Sequence, residues 1–300
     1  MSQTQSVYRV FFGFRDDPFS LSPDPSFLYR SEQHEEALSN LIYGVQGRKG
    51  FIVLTGEVGT GKTTMLECLR DYLSQQRVHF AVVFNSRITS AEFLEMVAWD
   101  FDLQCNRKSK PEILAALNDM LLSQAEKGST AVLIVDEAHN LEWEVLEEIR
   151  LLGNLENRRG KLLQIILAGQ PEFDRKLDAP NLRNLKQRIV LRYNLSPFNE
   201  QDTAKYIDSR FATAGMANQT VMSPELIAEI HRRSQGIPRL INAICDNLLL
   251  NAFADASRVA TLEMLDEVTS DMRLEWGERR RSGHLPRFDS ASEGSKVFGS

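Results

Sequence analysis

Five short runs of largely apolar residues stand out along the chain: 51–55 (FIVLT), 78–84 (VHFAVVF), 131–135 (AVLIV), 162–168 (LLQIILA) and 189–195 (IVLRYNL). Runs this short, rich in β-branched residues and bounded by Gly, Lys or polar residues, predict buried strands. Between them, 62–75, 90–101, 111–128 and 141–157 carry apolar residues at helical spacing. Strand alternating with helix predicts a mostly parallel sheet with helices on both faces. Beyond the fifth strand only helical stretches follow, near 199–214, 224–235, 238–254 and 262–275. The third-last of these opens on Ser223-Pro224-Glu225, a capping residue followed by Pro at the first helical position. The expected organisation is a linker and first helix over 1–48 packed on the core, an α/β core over 49–196, a small helical unit over 197–276 and a disordered tail over 277–300. The tail is rich in Gly, Ser and Arg and has no apolar period.

Composition narrows the class. With 42% hydrophobic and 25% charged residues over 300 positions, the chain has material for an α/β core and a second domain. A net charge of −6 argues against a surface generally made for nucleic acid, while leaving room for a local basic patch. Cys68, Cys105 and Cys245 are far apart and form no CxxC pair, so neither a zinc site nor a disulfide framework is expected. Reduced thiols fit a cytoplasmic setting. The N-terminus lacks a charged leader, and no apolar run approaches the roughly 18 residues that a membrane span needs, so no transmembrane segment is expected.

The chemistry begins at GEVGTGKTT, which fits G-x-x-x-x-G-K-[ST] between a strand and a helix. Such a loop turns backbone N–H groups and a helix N-terminus toward phosphate oxygens. This makes Gly56, Glu57, Val58, Gly59, Thr60, Gly61, Lys62, Thr63 and Thr64 the expected binding residues for ATP, with Lys62 on the β and γ phosphates and the Thr63 hydroxyl on Mg²⁺. The fold class is thus expected to be an α/β P-loop NTPase. AVLIVDEAHN then carries an apolar strand into Asp136-Glu137, placing two carboxylates where parallel sheets bind ligands. Asp136 is expected to hold Mg²⁺ and Glu137 to polarise the attacking water. His139 completes a DEAH string, but the second RecA-like domain of a helicase is missing, and a polar loop residue is the expected role.

Five further positions are candidates. Gln170, in AGQPEF, lies beside the γ-phosphate if its strand neighbours the phosphate loop, and is otherwise a turn residue before Pro171. Asn85, ending VVF, has the reach to restrain Glu137. Arg239, on the first turn of a helix starting at Pro238, would report nucleotide state from the lid side, or else is a surface charge. Arg183 and Arg188 precede the fifth strand, where an arginine can complete a neighbouring subunit's site; Arg188 is the preferred member.

Together the phosphate loop, Asp136-Glu137, Gln170, these arginines and GIPRLIN resemble an AAA+ ATPase. That resemblance implies a five-stranded parallel sheet in the order 5-1-4-3-2 with a C-terminal helical lid. The stretch from FFGFRDDPFSLSPDPSFLYR to GEVGTGKTT closely resembles the opening of the general secretion pathway protein A (ExeA-like) group, with the likeness running over about 8–275. The group implies ATP hydrolysis at the interfaces of a homo-oligomer, a hexamer or other ring. It also implies a protein partner in a secretion or envelope complex, in the cytoplasm or peripheral at the inner membrane. It places the segment from Phe19 to Tyr29 near the adenine with Ile237 and Pro238 opposite; a hydrophobic latch is the alternative reading of those aromatics. Members that continue into a transmembrane helix and a periplasmic peptidoglycan-binding domain differ from this chain, so direct cell-wall binding is not expected. The competing function is an ATP-dependent DNA-binding transposition regulator, with 106–111 (NRKSKP) and 156–161 (ENRRGK) as phosphate-contacting loops. A switch with little turnover and a small-molecule kinase are weaker readings, because a paired Asp-Glu with a lid arginine suits hydrolysis.

Overall fold

A computed structural model describes residues 7–20, 27, 29–84, 87–106, 108–158, 160–216 and 221–274. Asn85 and the tail beyond 274 lie outside the described residues.

The chain folds in the order α1 (Arg9–Phe12), α2 (Glu32–Gln46), β1 (Phe51–Gly56), α3 (Lys62–Ser74), β2 (Val78–Val83), α4 (Ser90–Asp100), α5 (Lys110–Glu126), β3 (Thr130–Val135), α6 (Trp143–Leu152). A hairpin of β4 (Glu156–Asn157) and β5 (Gly160–Lys161) leads to β6 (Leu163–Gly169), α7 (Glu172–Leu177), α8 (Arg183–Lys186) and β7 (Ile189–Leu195). The lid is α9 (Glu200–Thr213), α10 (Pro224–Ser234), α11 (Pro238–Ala254) and α12 (Leu262–Asp271). All strand pairs of the main sheet are parallel and run β2-β3-β6-β1-β7, the order implied by the resemblance once the hairpin is set aside.

Successive strand residues point to opposite faces, and helices bury both faces, so the central strands read as unbroken apolar runs. Phe51, Val53, Leu133, Val135, Ile165 and Leu167 pack under α4, α5 and α6. Their neighbours Ile52, Leu54, Val132, Ile134, Ile166 and Ala168 pack under α2 and α3. Register then sets the C-terminal edge: Thr55 lies beside Gly169, and Val135 beside Leu167.

The N-terminal segment departs from expectation. Only α2 packs on the sheet; Tyr8, Phe12, Phe14, Phe19 and Phe27 enter the core of the lid with Phe211, Cys245 and Leu249. The reason is complementarity of shape and polarity: Phe14 stacks on Phe211 with centroids 5.8 Å apart, and Phe19 meets the same ring edge-on at 5.2 Å. The Arg210 guanidinium clamps the segment further, donating to the carbonyls of Pro18 and Ser20 and lying 4.6 Å from the Phe27 ring centroid.

Gly236, between α10 and α11, packs against the segment that leads from β7 into the lid. Its φ is +71°, and a Cβ there would lie 2.0 Å from the Phe198 carbonyl oxygen, while the Phe198 amide donates to the Gly236 carbonyl at 2.8 Å. Both a left-handed conformation and backbone overlap therefore oppose any side chain. Gly236→Ala is expected to cost about 2–5 kcal/mol, from strain and overpacking together. Chemical denaturation of the variant against wild type measures this.

Candidate functional site

The loop after β1 closes on itself through Thr60, whose amide and hydroxyl donate to the Glu57 carbonyl at 3.3 and 2.8 Å. It delivers the chain into α3, which begins at Gly61 with no side-chain cap and no acidic residue in its first turn. That leaves a helix start with free N–H groups and its partial positive charge toward the cavity. Residues Val58 to Thr64 line a cavity of about 330 Å³, and Gly56 and Glu57 are not part of its lining. Their carbonyls accept from the Lys62 ammonium at 2.7 and 3.0 Å. Burial pulls the Lys62 pKa below the ordinary lysine range, while the carboxylates of Glu137 and Asp136 pull it back up.

Across the edge, Asp136 is 5% exposed and accepts from the Thr63 hydroxyl at 3.1 Å. Its other oxygen accepts from the Glu137 amide at 2.8 Å. Glu137 has φ +54°, a left-handed conformation that turns the chain out of β3 into a single 3-10 turn over 138–140. Gln170 directly follows the residue paired with Thr55, so the condition set for it, a strand neighbouring the phosphate loop, is met. Its backbone amide, not its side chain, donates to His139 Nδ1 at 3.3 Å.

The lid meets the loop directly. The Arg239 amide donates to the Gly59 carbonyl at 3.2 Å, and a Cβ on Gly59 would sit 2.6 Å from the Arg239 Cβ. A glycine is what permits this approach, since Gly59 also has φ +85°. Arg239 and Pro238 line the cavity, and Phe27, Tyr29, Phe198 and Tyr206 line it as well. The aromatics of the N-terminal segment thus serve both as core of the lid and as wall of the cavity.

Arg188 is not brought to this site. Its guanidinium donates to the Arg150 carbonyl at 3.2 Å and to Asn154 Oδ1, closing the C-terminal end of α6 within its own chain. Arg183 is exposed at the start of α8, and its side chain has no hydrogen bond or ion pair among the described residues. Within the single chain Arg188 thus braces α6, and Arg183 is the more exposed of the two arginines.

Sequence reasoning missed two supports. His34 is buried behind the loop, with Nδ1 2.7 Å from the Ser31 hydroxyl and Nε2 3.4 Å from the Thr60 carbonyl. Burial lowers its pKa, with the Thr60 carbonyl opposing. The Ser31 cap preceding α2 was the available signal. Arg210 had none, because its partners lie about 190 positions away. A larger groove of about 520 Å³ between α2 and α3 contains no residue of the phosphate loop and is not the nucleotide site.

A parallel sheet in this order, a phosphate loop after β1, an acidic pair after β3 and a helical lid over the cavity define a P-loop protein of the AAA+ class. The AAA domain family model matches residues 45–177. Among solved structures, Cdc6p of Pyrobaculum aerophilum superposes with a TM-score of 0.66 at 21% identity, over 85% of this chain and 70% of that one. The ORC2 protein of Aeropyrum pernix follows with 0.65 at 16%, over 86% and 72%. RuvB of Thermotoga maritima gives 0.54 at 15%, over 81% and 69%. At these identities the likeness is one of fold. General secretion pathway protein A of Aeromonas hydrophila is 44% identical over 252 residues, 84% of this chain and 46% of that protein. The chain belongs to the general secretion pathway protein A group of AAA+ proteins and spans a little under half the length of that relative. Among the described residues no helix is long and apolar enough to cross a membrane.

Proposed function

We propose that this chain hydrolyses Mg·ATP at subunit interfaces and uses lid movement to drive assembly or remodelling of a secretion or envelope export complex. The observation that carries the hydrolytic part is the meeting of Thr63 and Asp136 at 3.1 Å with Glu137 beside them and Arg239 on the same cavity. The oxygen-only pair of hydroxyl and carboxylate suits a hard divalent cation, which usually takes one or two protein carboxylates and completes its shell with phosphates and water. When bound there, Mg²⁺ supplies charge neutralisation across the β and γ phosphates. Lys62 and the amides of α3's first turn hold the triphosphate, Glu137 orients and polarises the attacking water, and Gln170 stands on the γ-phosphate side. Arg239, joined through its backbone to Gly59, transmits the nucleotide state to the lid.

The load is proposed from the likeness to general secretion pathway protein A, and the oligomer from the exposed arginine at the entrance to β7. Arg183 is the residue proposed to act in trans. A trans arginine is worth about 10³–10⁵ in turnover, so Arg183→Ala is expected to lose most of its activity with nucleotide affinity intact, while Arg188→Ala loses stability at α6. Mixing Arg183→Ala with Glu137→Gln should restore turnover, because mixed interfaces regain one complete site. Lack of restoration would remove the trans role.

Turnover per protomer across protein concentration, with and without duplex DNA, tests the whole reading. A rise with concentration that ignores DNA supports it; strong stimulation by DNA would move the chain to transposition-type regulation. The basic loops weigh against the second outcome, since Lys161 pairs with Glu156 and Lys110 with Glu148.

A further inference from the structure

We infer that His139 is a positioning residue that couples the Glu137 carboxylate to the β6 edge at Gln170; the inference rests on the hydrolytic reading of this site. The imidazole Nδ1 lies 3.4 Å from Glu137 Oε2 and 3.3 Å from the Gln170 amide nitrogen, with the side chain 12% exposed. Among the described residues, no other side chain has a recorded hydrogen bond or ion pair with the Glu137 carboxylate.

The backbone around it is held from two sides. Lys176 Nζ donates to the His139 carbonyl at 3.2 Å and to the Leu141 carbonyl. On the β6 side, a Cβ on Gly169 would lie 3.3 Å from the His139 amide nitrogen, so the strand edge and the turn are nearly in contact. With the turn pinned, the ring has little freedom except at its nitrogens.

One ring nitrogen cannot accept from an amide and donate to a carboxylate at once. The Nε2–H tautomer leaves Nδ1 to accept from Gln170; the Nδ1–H tautomer donates to Glu137 and releases the Gln170 amide. The two tautomers carry the same charge, so the exchange between partners needs no net protonation. His139 thereby links the residue that activates water to the strand edge on the γ-phosphate side. A displacement at one edge is felt at the other. The DEAH string, read from sequence as ending in a polar loop residue, ends instead in a ring wedged between the two edges.

The test separates position from binding. His139→Ala is expected to lower kcat about 10- to 100-fold, the scale of a small misplacement of a reacting group. Affinity for a fluorescent ATP analogue and the unfolding midpoint should stay close to wild type. His139→Asn keeps an acceptor and a donor near the Nδ1 position and is expected to recover most of that loss. Equal kcat in His139→Ala and wild type would overturn the inference, as would a loss in which affinity falls in parallel and Asn gives no rescue.

Hydrogen exchange at the Gln170 amide, resolved by fragmentation mass spectrometry, reads the contact without turnover. Faster exchange in His139→Ala than in wild type supports the contact, and equal exchange overturns it. Wild-type protein with no turnover above the Glu137→Gln background would instead overturn the hydrolytic reading, while the exchange measurement still judged the contact.

Discussion

Replacing Glu137 with Gln is expected to leave nucleotide affinity within about twofold and to lower ATP turnover by about 10²–10⁴, the usual contribution of a positioned general base. Gln keeps the length of the side chain and removes only the charge and basicity. The strained φ of +54° at this position is retained by either residue, so the backbone turn into 138–140 should survive. Asp136 stays on Thr63, and the cation site is preserved. Losing kcat without affinity marks an interaction made chiefly in the transition state. Steady-state phosphate release beside equilibrium binding of a fluorescent analogue measures both quantities. A variant keeping more than about a tenth of wild-type turnover contradicts the assignment of Glu137 as the base.

Lys62→Ala is expected to act on binding instead. The residue is 6% exposed, its ammonium held by the Gly56 and Glu57 carbonyls and surrounded by the carboxylates of Glu137, Asp136, Glu57 and Glu172. Truncation removes the cation that faces the phosphates and leaves that acidic surrounding uncompensated. Loss of one partner from such a buried, charge-assisted arrangement costs about 2–5 kcal/mol, which corresponds to a fall in affinity of about 30- to 4,000-fold. Arg is not an adequate replacement, because the rigid guanidinium fork cannot place three donors around one point as an ammonium does. Equilibrium titration with an ATP analogue measures the change. Affinity within threefold of wild type would dissociate this lysine from phosphate binding.

Much of the architecture could be read locally. FIVLT, AVLIV and LLQIILA are strands because both faces of a parallel sheet are covered, so each side chain in the run finds an apolar neighbour. Ser223, Pro224 and Gly61 sit at the helix starts that their residue types indicate. The stretch 141–157, read as one helix, instead stops at Leu152, and Glu156–Asn157 pairs antiparallel with Gly160–Lys161. Gly153 lies there so close to Phe51 that a Cβ would be 2.2 Å from the ring, a contact invisible to periodicity.

The candidate site was legible where a motif is contiguous and obscure where it is assembled. Gly56 to Thr64 and Asp136-Glu137 are short strings whose spacing alone prescribes a phosphate loop and an acidic strand end. His139 was readable as a letter in DEAH, but its contact with Gln170 spans 31 positions and depends on β3 lying beside β6. Arg188 was favoured as an outward residue from its place before β7, and its capture by α6 is a consequence of packing between elements 38 positions apart.

By itself, the sequence determined the element types, the two-part organisation and the chemistry of the phosphate loop, because these follow from hydrophobic period, capping and a contiguous binding string. Only the tertiary structure decided which distant residues share an edge: Thr63 with Asp136 across 73 positions, Arg239 with Gly59, and the N-terminal aromatics with the lid rather than the sheet. The physical reason is that strand order and helix docking minimise exposed apolar surface over the whole chain. A contact set by that global packing leaves no periodic trace at either of its ends.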